Sequence, residues 1–185
     1  MPPSETAPEP WRSFFDEVDS QLAEDVRLHC CGGFVVIQLY GVARNTGDLD
    51  YLSAVPNLRR ELAQIAGKGS RLHRKYRVYP DALTVATPPE NYEARLIPMF
   101  PGAWRRLHLF ALEAHDLALS KLERNYERDR DDVQRLARAG HLRPDVLSER
   151  YYGELRPLLS QESRHDLTLR LWLESYWPTG ARGGT

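Results

Sequence analysis

Apolar positions follow two different patterns in the two parts of the chain. Up to about residue 112, short apolar runs predict strands at 26–31, 48–52, 81–86 and 104–112. From about residue 114 onward, apolar positions recur every three or four residues, which predicts helices at 115–125, 129–139, 144–156 and 161–176. Strands followed by helices are typical of the α+β class, so we predict that fold class.

Helical patterns also interrupt the strand-rich part. They predict packing helices at 11–23 and 58–66 and a short irregular helix at 92–99. The stretch 34–39 is apolar almost throughout, so we expect it beneath the sheet. We therefore predict a disordered tail at 1–10, an α/β core at 11–112, a helical region packed on it at 113–177, and a tail at 178–185.

Charge and composition exclude some classes of protein. The 185 residues carry a net charge of −1, so the whole chain is not an obvious nucleic-acid or membrane binder. No apolar run reaches membrane-spanning length, and residues 1–10 lack the features of a signal peptide. The two cysteines, Cys30 and Cys31, are adjacent, so we expect reduced thiols in a cytoplasmic protein.

One local basic stretch departs from this balance. Residues 68–77 contain five Lys or Arg side chains and one histidine. Such a run is either a solvated surface or a local seat for phosphate or an RNA backbone. Both interpretations stay open at this point.

The candidate chemistry lies between Leu28 and Leu52. Gly32 and Gly33 follow an apolar strand and begin a short apolar stretch, and a helix N-terminus there would bind phosphate. Asp48 and Asp50 then begin the next strand, where the period of two places both carboxylates on one face. Neighbouring carboxylates repel each other unless a cation lies between them. A double glycine or an Asp-x-Asp alone is weak evidence, but their order suggests chemistry on a nucleoside triphosphate.

These residues carry a resemblance to a known superfamily. Gly32-Gly33, the segment Arg44-Asn45-Thr46-Gly47-Asp48-Leu49-Asp50, Lys121, and Arg128–Asp132 together resemble nucleotidyltransferases of the polymerase-beta type. More closely, the pattern resembles minimal bacterial proteins related to AbiEii-type toxins of type IV toxin–antitoxin systems. The resemblance implies a small mixed sheet flanked by helices, followed by a C-terminal helical bundle.

The resemblance also implies roles for individual residues. Asp48 and Asp50 would be catalytic and would hold Mg²⁺, and Asp81 would be the third catalytic carboxylate. Glu90 or Glu93 could take the place of Asp81, or the third acid could be absent. The other implied roles are nucleotide binding by Gly32, Gly33, Arg44, Thr46 and Lys121, and support from Asp129 and Asp132.

Two of these implied roles have structural alternatives. Lys121 could equally be a surface lysine whose stem covers apolar side chains. Asp129 and Asp132 could cap the helix that they begin, or could orient Lys121 or Arg44.

The leading hypothesis is therefore an enzyme that needs Mg²⁺ and moves a nucleotide from an NTP to a hydroxyl of RNA, such as tRNA, or of a protein. The resemblance suggests the toxin of a toxin–antitoxin system, with a cognate antitoxin as partner. The alternative is an inactive nucleotidyltransferase-like module that binds RNA or a partner protein. In a third hypothesis the aromatic last helix contacts another protein, although core packing explains its aromatic residues more simply.

Overall fold

The computed structural model describes residues 6–42 and 46–178, which belong to two compact units. The first unit contains the residues up to Thr84 together with Arg95–Leu112. The second contains Val85–Ala94 together with the residues from Glu113 onward. In this division the segment Val85–Ala94 groups with the C-terminal helices rather than with the sheet.

A five-stranded mixed sheet forms the centre of the first unit. Its strands are β1 (Val26–Cys31), β2 (Asp48–Val55), β3 (Tyr79–Ala82), β4 (Ile97–Met99) and β5 (Leu107–Ala111). They lie in the order β3-β2-β1-β5-β4. The β2–β3 and β1–β5 pairs are parallel, and the β1–β2 and β4–β5 pairs are antiparallel. The predicted fold, a small mixed sheet with helices and a C-terminal helical region, is confirmed.

Four helices accompany this sheet: α1 (Trp11–Gln21), α2 (Gly32–Tyr40), α3 (Arg59–Ile65) and α4 (Arg71–Tyr76). The aromatic side chains of α1 are packing residues, as their spacing predicts. Trp11 lies 4.7 Å from Phe34 of α2, and Phe15 lies 5.0 Å from Trp104, between ring centroids. Because these rings are buried together, they hold α1 and the start of α2 in one core.

The second unit is helical. It contains α5 (Ala114–Leu119), α6 (Glu127–Arg138), α7 (Pro144–Arg150) and α8 (Glu162–Tyr176). A π-helical turn at Tyr151–Leu155 and a 3₁₀ turn at Arg156–Leu158 connect α7 to α8. Across the described ranges 6–42 and 46–178, no helix has both the length and the apolar character needed to cross a membrane.

Several predicted element boundaries are wrong. Strand β2 continues to Val55 rather than ending at Leu52, and β5 begins at Leu107 rather than at Trp104. The strand predicted at 81–86 runs from Tyr79 to Ala82, and the stretch predicted as an irregular helix contains a 3₁₀ turn at Tyr92–Arg95 and then β4. Strand β4 was missed because it is three residues long and contains Pro98, which an edge strand tolerates. The helix predicted at 115–125 ends at Leu119, where the backbone changes to i−3 hydrogen bonds.

Candidate active site

Asp48 and Asp50 lie on the same face of β2. Both are partly exposed, whereas Leu49 and Tyr51 between and after them are buried. This alternation is the period of two that the sequence predicts for the segment. The two carboxylates therefore point together toward an accessible surface.

Strand β3 brings a third carboxylate to this face. In the parallel β2–β3 pair, Asp81 is in register with Asp50, and Tyr79 is in register with Asp48. Residues in register on neighbouring strands project to the same side of a sheet. Asp81 thus lies beside Asp50. The alternatives, Glu90 and Glu93, belong to the segment that groups with the second unit.

Gly32 lies directly against the Asp50 side chain. Its φ is +70°, and a Cβ added at this position would lie 1.9 Å from Oδ2 of Asp50. Only a glycine allows both this backbone conformation and this approach. Because Gly32 is the first residue of α2, the Asp50 carboxylate lies at the positive end of that helix, which stabilises an anion.

The other predicted nucleotide-binding residues have different surroundings. Thr46 donates its hydroxyl to the carboxylate Oδ1 of Asp48 and also lies 3.2 Å from the Asp48 carbonyl oxygen. Thr46 therefore contacts a candidate catalytic residue directly. Gly33 is buried in the first turn of α2. Arg44 lies outside the described residues.

Lys121 is part of a buried charged cluster in the second unit. Its side chain is 5% exposed, and its Nζ lies 2.9 Å from Oδ2 of Asp132 and 3.5 Å from Oδ1 of Asp129. Arg124 donates two hydrogen bonds to Asp129, at 2.8 and 2.6 Å. Lys121 is therefore not a solvated surface lysine.

Asp129 combines the two structural roles that the sequence left open. It accepts a hydrogen bond from the backbone N–H of Tyr126 and so caps α6, and it also contacts Lys121. Burial raises the pKa of its carboxyl, but the Arg124 hydrogen bonds and the Lys121 charge outweigh this effect, so the net pKa is lowered. The ionised Asp129 carboxylate therefore stabilises the start of α6.

A second charged cluster at the start of α5 was not predicted. Glu113 accepts hydrogen bonds from His115, at 2.7 Å, and from Arg150, at 2.5 Å, and Arg150 also lies 3.0 Å from Asp116. The His115 Nε2 accepts the backbone N–H of Arg143 at 2.9 Å. Burial raises the pKa of Glu113, but these hydrogen bonds and charges lower it to about 2. The one sequence signal for this cluster is the pair of acidic residues, Glu113 and Asp116, at the predicted start of a helix.

The basic stretch 68–77 is partly neutralised. Arg71, Lys75 and Tyr76 all contact the carboxylate of Glu17 on α1, with Arg71 at 3.3 Å and the Tyr76 hydroxyl at 2.6 Å. Lys68 differs from them, since its Nζ lies 5.7 Å from the ring centroid of Tyr79. Because Tyr79 is in register with Asp48, Lys68 lies near the acidic face.

The acidic face fits a metal ion only in part. Within residues 6–42 and 46–178, no group of three or more His, Cys, Asp or Glu side chains is arranged to hold a metal by itself. Mg²⁺, however, is usually bound by one or two carboxylates, with substrate phosphates and water completing its shell. The hard oxygen donors of Asp48 and Asp50 fit that incomplete type of site, in which a nucleotide supplies the remaining ligands.

Comparison with known proteins identifies a family. A family model described as a nucleotidyltransferase of unknown function (DUF6036) matches residues 14–176, which is most of the chain. No curated protein and no solved structure matches. The nucleotidyltransferase part of the predicted resemblance is thus confirmed. The relation to AbiEii-type toxins stays a prediction.

Proposed function

The chain belongs to the DUF6036 family of nucleotidyltransferases of unknown function, and we propose that it transfers a nucleotide from an NTP to a hydroxyl group at the acidic face of β2 and β3. The observation that carries the proposal is the register of the sheet, which places Asp81 beside Asp50. Three carboxylates that share one accessible face of a sheet repel one another unless a cation or a proton lies among them. Their grouping is explained if they act on a cationic metal and on a proton.

The proposed reaction divides the work among these residues. Asp48 and Asp50 would hold Mg²⁺ together with the triphosphate. When bound, Mg²⁺ neutralises the charge that develops on the phosphate oxygens. Asp81 would accept the proton of the attacking hydroxyl group while the oxygen of that hydroxyl forms a bond to the α-phosphorus. The bond from the α-phosphorus to the bridging oxygen breaks, and pyrophosphate leaves.

Other residues of the first unit would support these three acids. Thr46 orients Asp48 through its hydroxyl, and Gly32 gives Asp50 room at the start of α2. The Lys68 ammonium group lies over the ring of Tyr79, which is in register with Asp48 on the acidic face. We therefore assign Lys68 a contact with the triphosphate. We keep the proposed nucleotide contacts of Gly33 and Arg44. The nucleotide contact of Lys121 stays a prediction from the resemblance, since Lys121 belongs to the second unit and its charge is shared with Asp132.

The acceptor and the biological setting form the finer part of the proposal. The acceptor would be a hydroxyl of RNA, such as tRNA, or of a protein, and the enzyme would be the toxin of a toxin–antitoxin system with a cognate antitoxin. Support for this part comes from the sequence resemblance. Support from the basic stretch is weaker than its composition suggests, because Glu17 neutralises part of it.

The first test is nucleotide binding, which needs no knowledge of the acceptor. Purified protein is titrated with each NTP in the presence and absence of Mg²⁺, and Asp48→Asn and Asp50→Asn are compared with the exposed control Asp25→Asn. We expect Mg²⁺-dependent binding in the wild type and the control, and its loss in the two variants. Mg²⁺ alone should bind weakly, since the two carboxylates leave its shell incomplete. Equal binding by all four proteins would contradict the assigned site.

The second test is transfer. α-Labelled NTPs are incubated with the protein and cell extract, and the labelled product is digested with ribonuclease or protease to identify the acceptor. Asp81→Asn should retain nucleotide binding but slow the transfer by roughly 10²–10⁴-fold, the usual effect of losing a general base. Mg²⁺-dependent binding without label in any fraction would favour the inactive binding module instead. Growth arrest on expression, absent in Asp48→Asn, would test the toxin role.

A further inference from the structure

Helix α8 has an exposed stripe with the spacing of a coiled-coil seam. Its members are Arg164, Leu167, Leu171 and Glu174, separated by three, four and three residues. Leu167 is 45% exposed and Leu171 is 50% exposed, although the same helix buries Leu169 and Trp172 on its inner side. Two leucines one turn apart on an exposed face are typical of a helix that packs against another helix.

The stripe is complementary to itself only in one orientation. If two copies of α8 pack antiparallel about a two-fold axis near Leu169, Leu167 of each copy meets Leu171 of the other. The same axis brings Arg164 of each copy opposite Glu174 of the other. A parallel pair would instead place arginine against arginine and glutamate against glutamate, which costs energy. The charge pattern thus selects an isologous, antiparallel contact.

The end charges are available for such a contact. Neither Arg164 nor Glu174 has an ion-pair partner among the residues that the structure describes, and both are exposed. By contrast, Asp166 on the same helix is bonded to Arg156 and Tyr151, at 2.9 and 2.8 Å. A groove of about 330 Å³ runs along α8 beside Leu167 and the exposed Tyr152, which widens the apolar surface next to the stripe.

We propose that the chain forms a homodimer through α8, with the two helices antiparallel and with Arg164 paired to Glu174 across the two-fold axis. A contact centred on one pair of 15-residue helices falls at the small end of specific interfaces, at roughly 1,000 Å² in total. We therefore expect a dissociation constant on the order of micromolar to tens of micromolar, rather than nanomolar. The dimer is independent of the proposed transferase activity.

Sedimentation of the full chain over about 1–200 µM tests the proposal, since this range spans the expected dissociation constant. The single charge reversals Arg164→Glu and Glu174→Arg each create two like-charge pairs, so each should weaken the dimer at least about tenfold. The double variant reverses both charges and restores opposite pairs, so its dimerisation should return to the wild-type level. Raising the salt concentration should weaken the wild type and the double variant alike.

Leu171→Glu is an additional variant, which should remove the dimer without unfolding the helix because the side chain is half exposed. Circular dichroism checks that all variants retain their helix content. A wild-type monomer throughout the concentration range would overturn the proposal. So would a dimer that both single reversals leave intact, or one that the single reversals weaken and the double variant does not restore.

Discussion

The contact between Gly32 and Asp50 gives the sharpest prediction for the candidate site. In Gly32→Ala, the new Cβ would lie 1.9 Å from Oδ2, 2.7 Å from Cγ and 2.8 Å from Cβ of Asp50. The carboxylate must move by about 1.5 Å to reach an ordinary contact distance. The left-handed backbone adds about 1 kcal/mol for a residue with a Cβ, and an off-rotamer Asp50 adds about 1 kcal/mol more.

Gly41→Ala is the matched control. Gly41 ends the same helix with nearly the same φ, +66°, but no described heavy atom lies within 4 Å of an added Cβ. We therefore expect urea denaturation to show a loss of about 1 kcal/mol for Gly41→Ala and about 2 kcal/mol for Gly32→Ala. If Asp50 has the proposed catalytic role, moving its carboxylate by more than 1 Å should also reduce transfer at least about 100-fold in Gly32→Ala, but not in Gly41→Ala. Equal losses of stability in the two variants would refute the close approach.

The two charged clusters of the second unit give further predictions. Because the pKa of Glu113 is lowered to about 2, its charge stabilises the fold above the ordinary pKa of about 4.5, and this contribution, roughly 3 kcal/mol, is lost as the pH falls toward 2. Urea midpoints measured from pH 7 to pH 3 should fall less steeply in Glu113→Gln than in the wild type, whereas the exposed control Asp25→Asn should follow the wild type. Parallel curves for all three proteins would contradict the assignment. Lys121→Met should lower the free energy of unfolding by roughly 3 kcal/mol because it removes the cation that lies 2.9 Å from the buried Asp132 carboxylate, and adding Asp132→Asn should recover part of the loss. If Lys121→Met is as stable as the wild type but binds NTP more weakly, Lys121 serves the nucleotide rather than the fold.

The elements of the sheet were largely predictable from local pattern. Strand β1 has the predicted bounds, and the helix at Gly32 begins where the double glycine indicates. Such elements follow from their own apolar spacing and turn residues, so no knowledge of distant neighbours is needed. Short β4 and the early end of α5 depend on pairing and packing with other segments, and local pattern missed both.

The arrangement of the candidate site was only partly predictable. The period of two placed Asp48 and Asp50 together, but the position of Asp81 depends on how β3 pairs with β2, and a shift of one residue would turn Asp81 to the opposite face. Helices α3 and α4 lie between the two strands in the chain, so local pattern within β2 and β3 does not specify how the strands pair. The partners of Lys121 were among the predicted residues, whereas the cluster of Glu113 and Arg150 joins residues far apart in sequence.

A β-bulge in β2 explains how one strand carries both a core and an acidic face. In the antiparallel pair with β1, His29 faces Ser53 and Cys30 faces Tyr51, so Leu52 has no partner. Leu49 and Tyr51 are buried before the bulge, and Leu52 is buried directly after Tyr51, which breaks the alternation.

The sequence did not predict this break, although a strict period of two would place the adjacent apolar side chains of Tyr51 and Leu52 on opposite faces. Arg59 of α3 donates to the Leu52 carbonyl and so binds the bulged residue directly. Bulges are frequent beside active sites because they change the direction of neighbouring side chains. Here the bulge lets Leu52 and Ala54 at the end of β2 be buried. The beginning of β2 keeps Asp48 and Asp50 on the face that Asp81 shares.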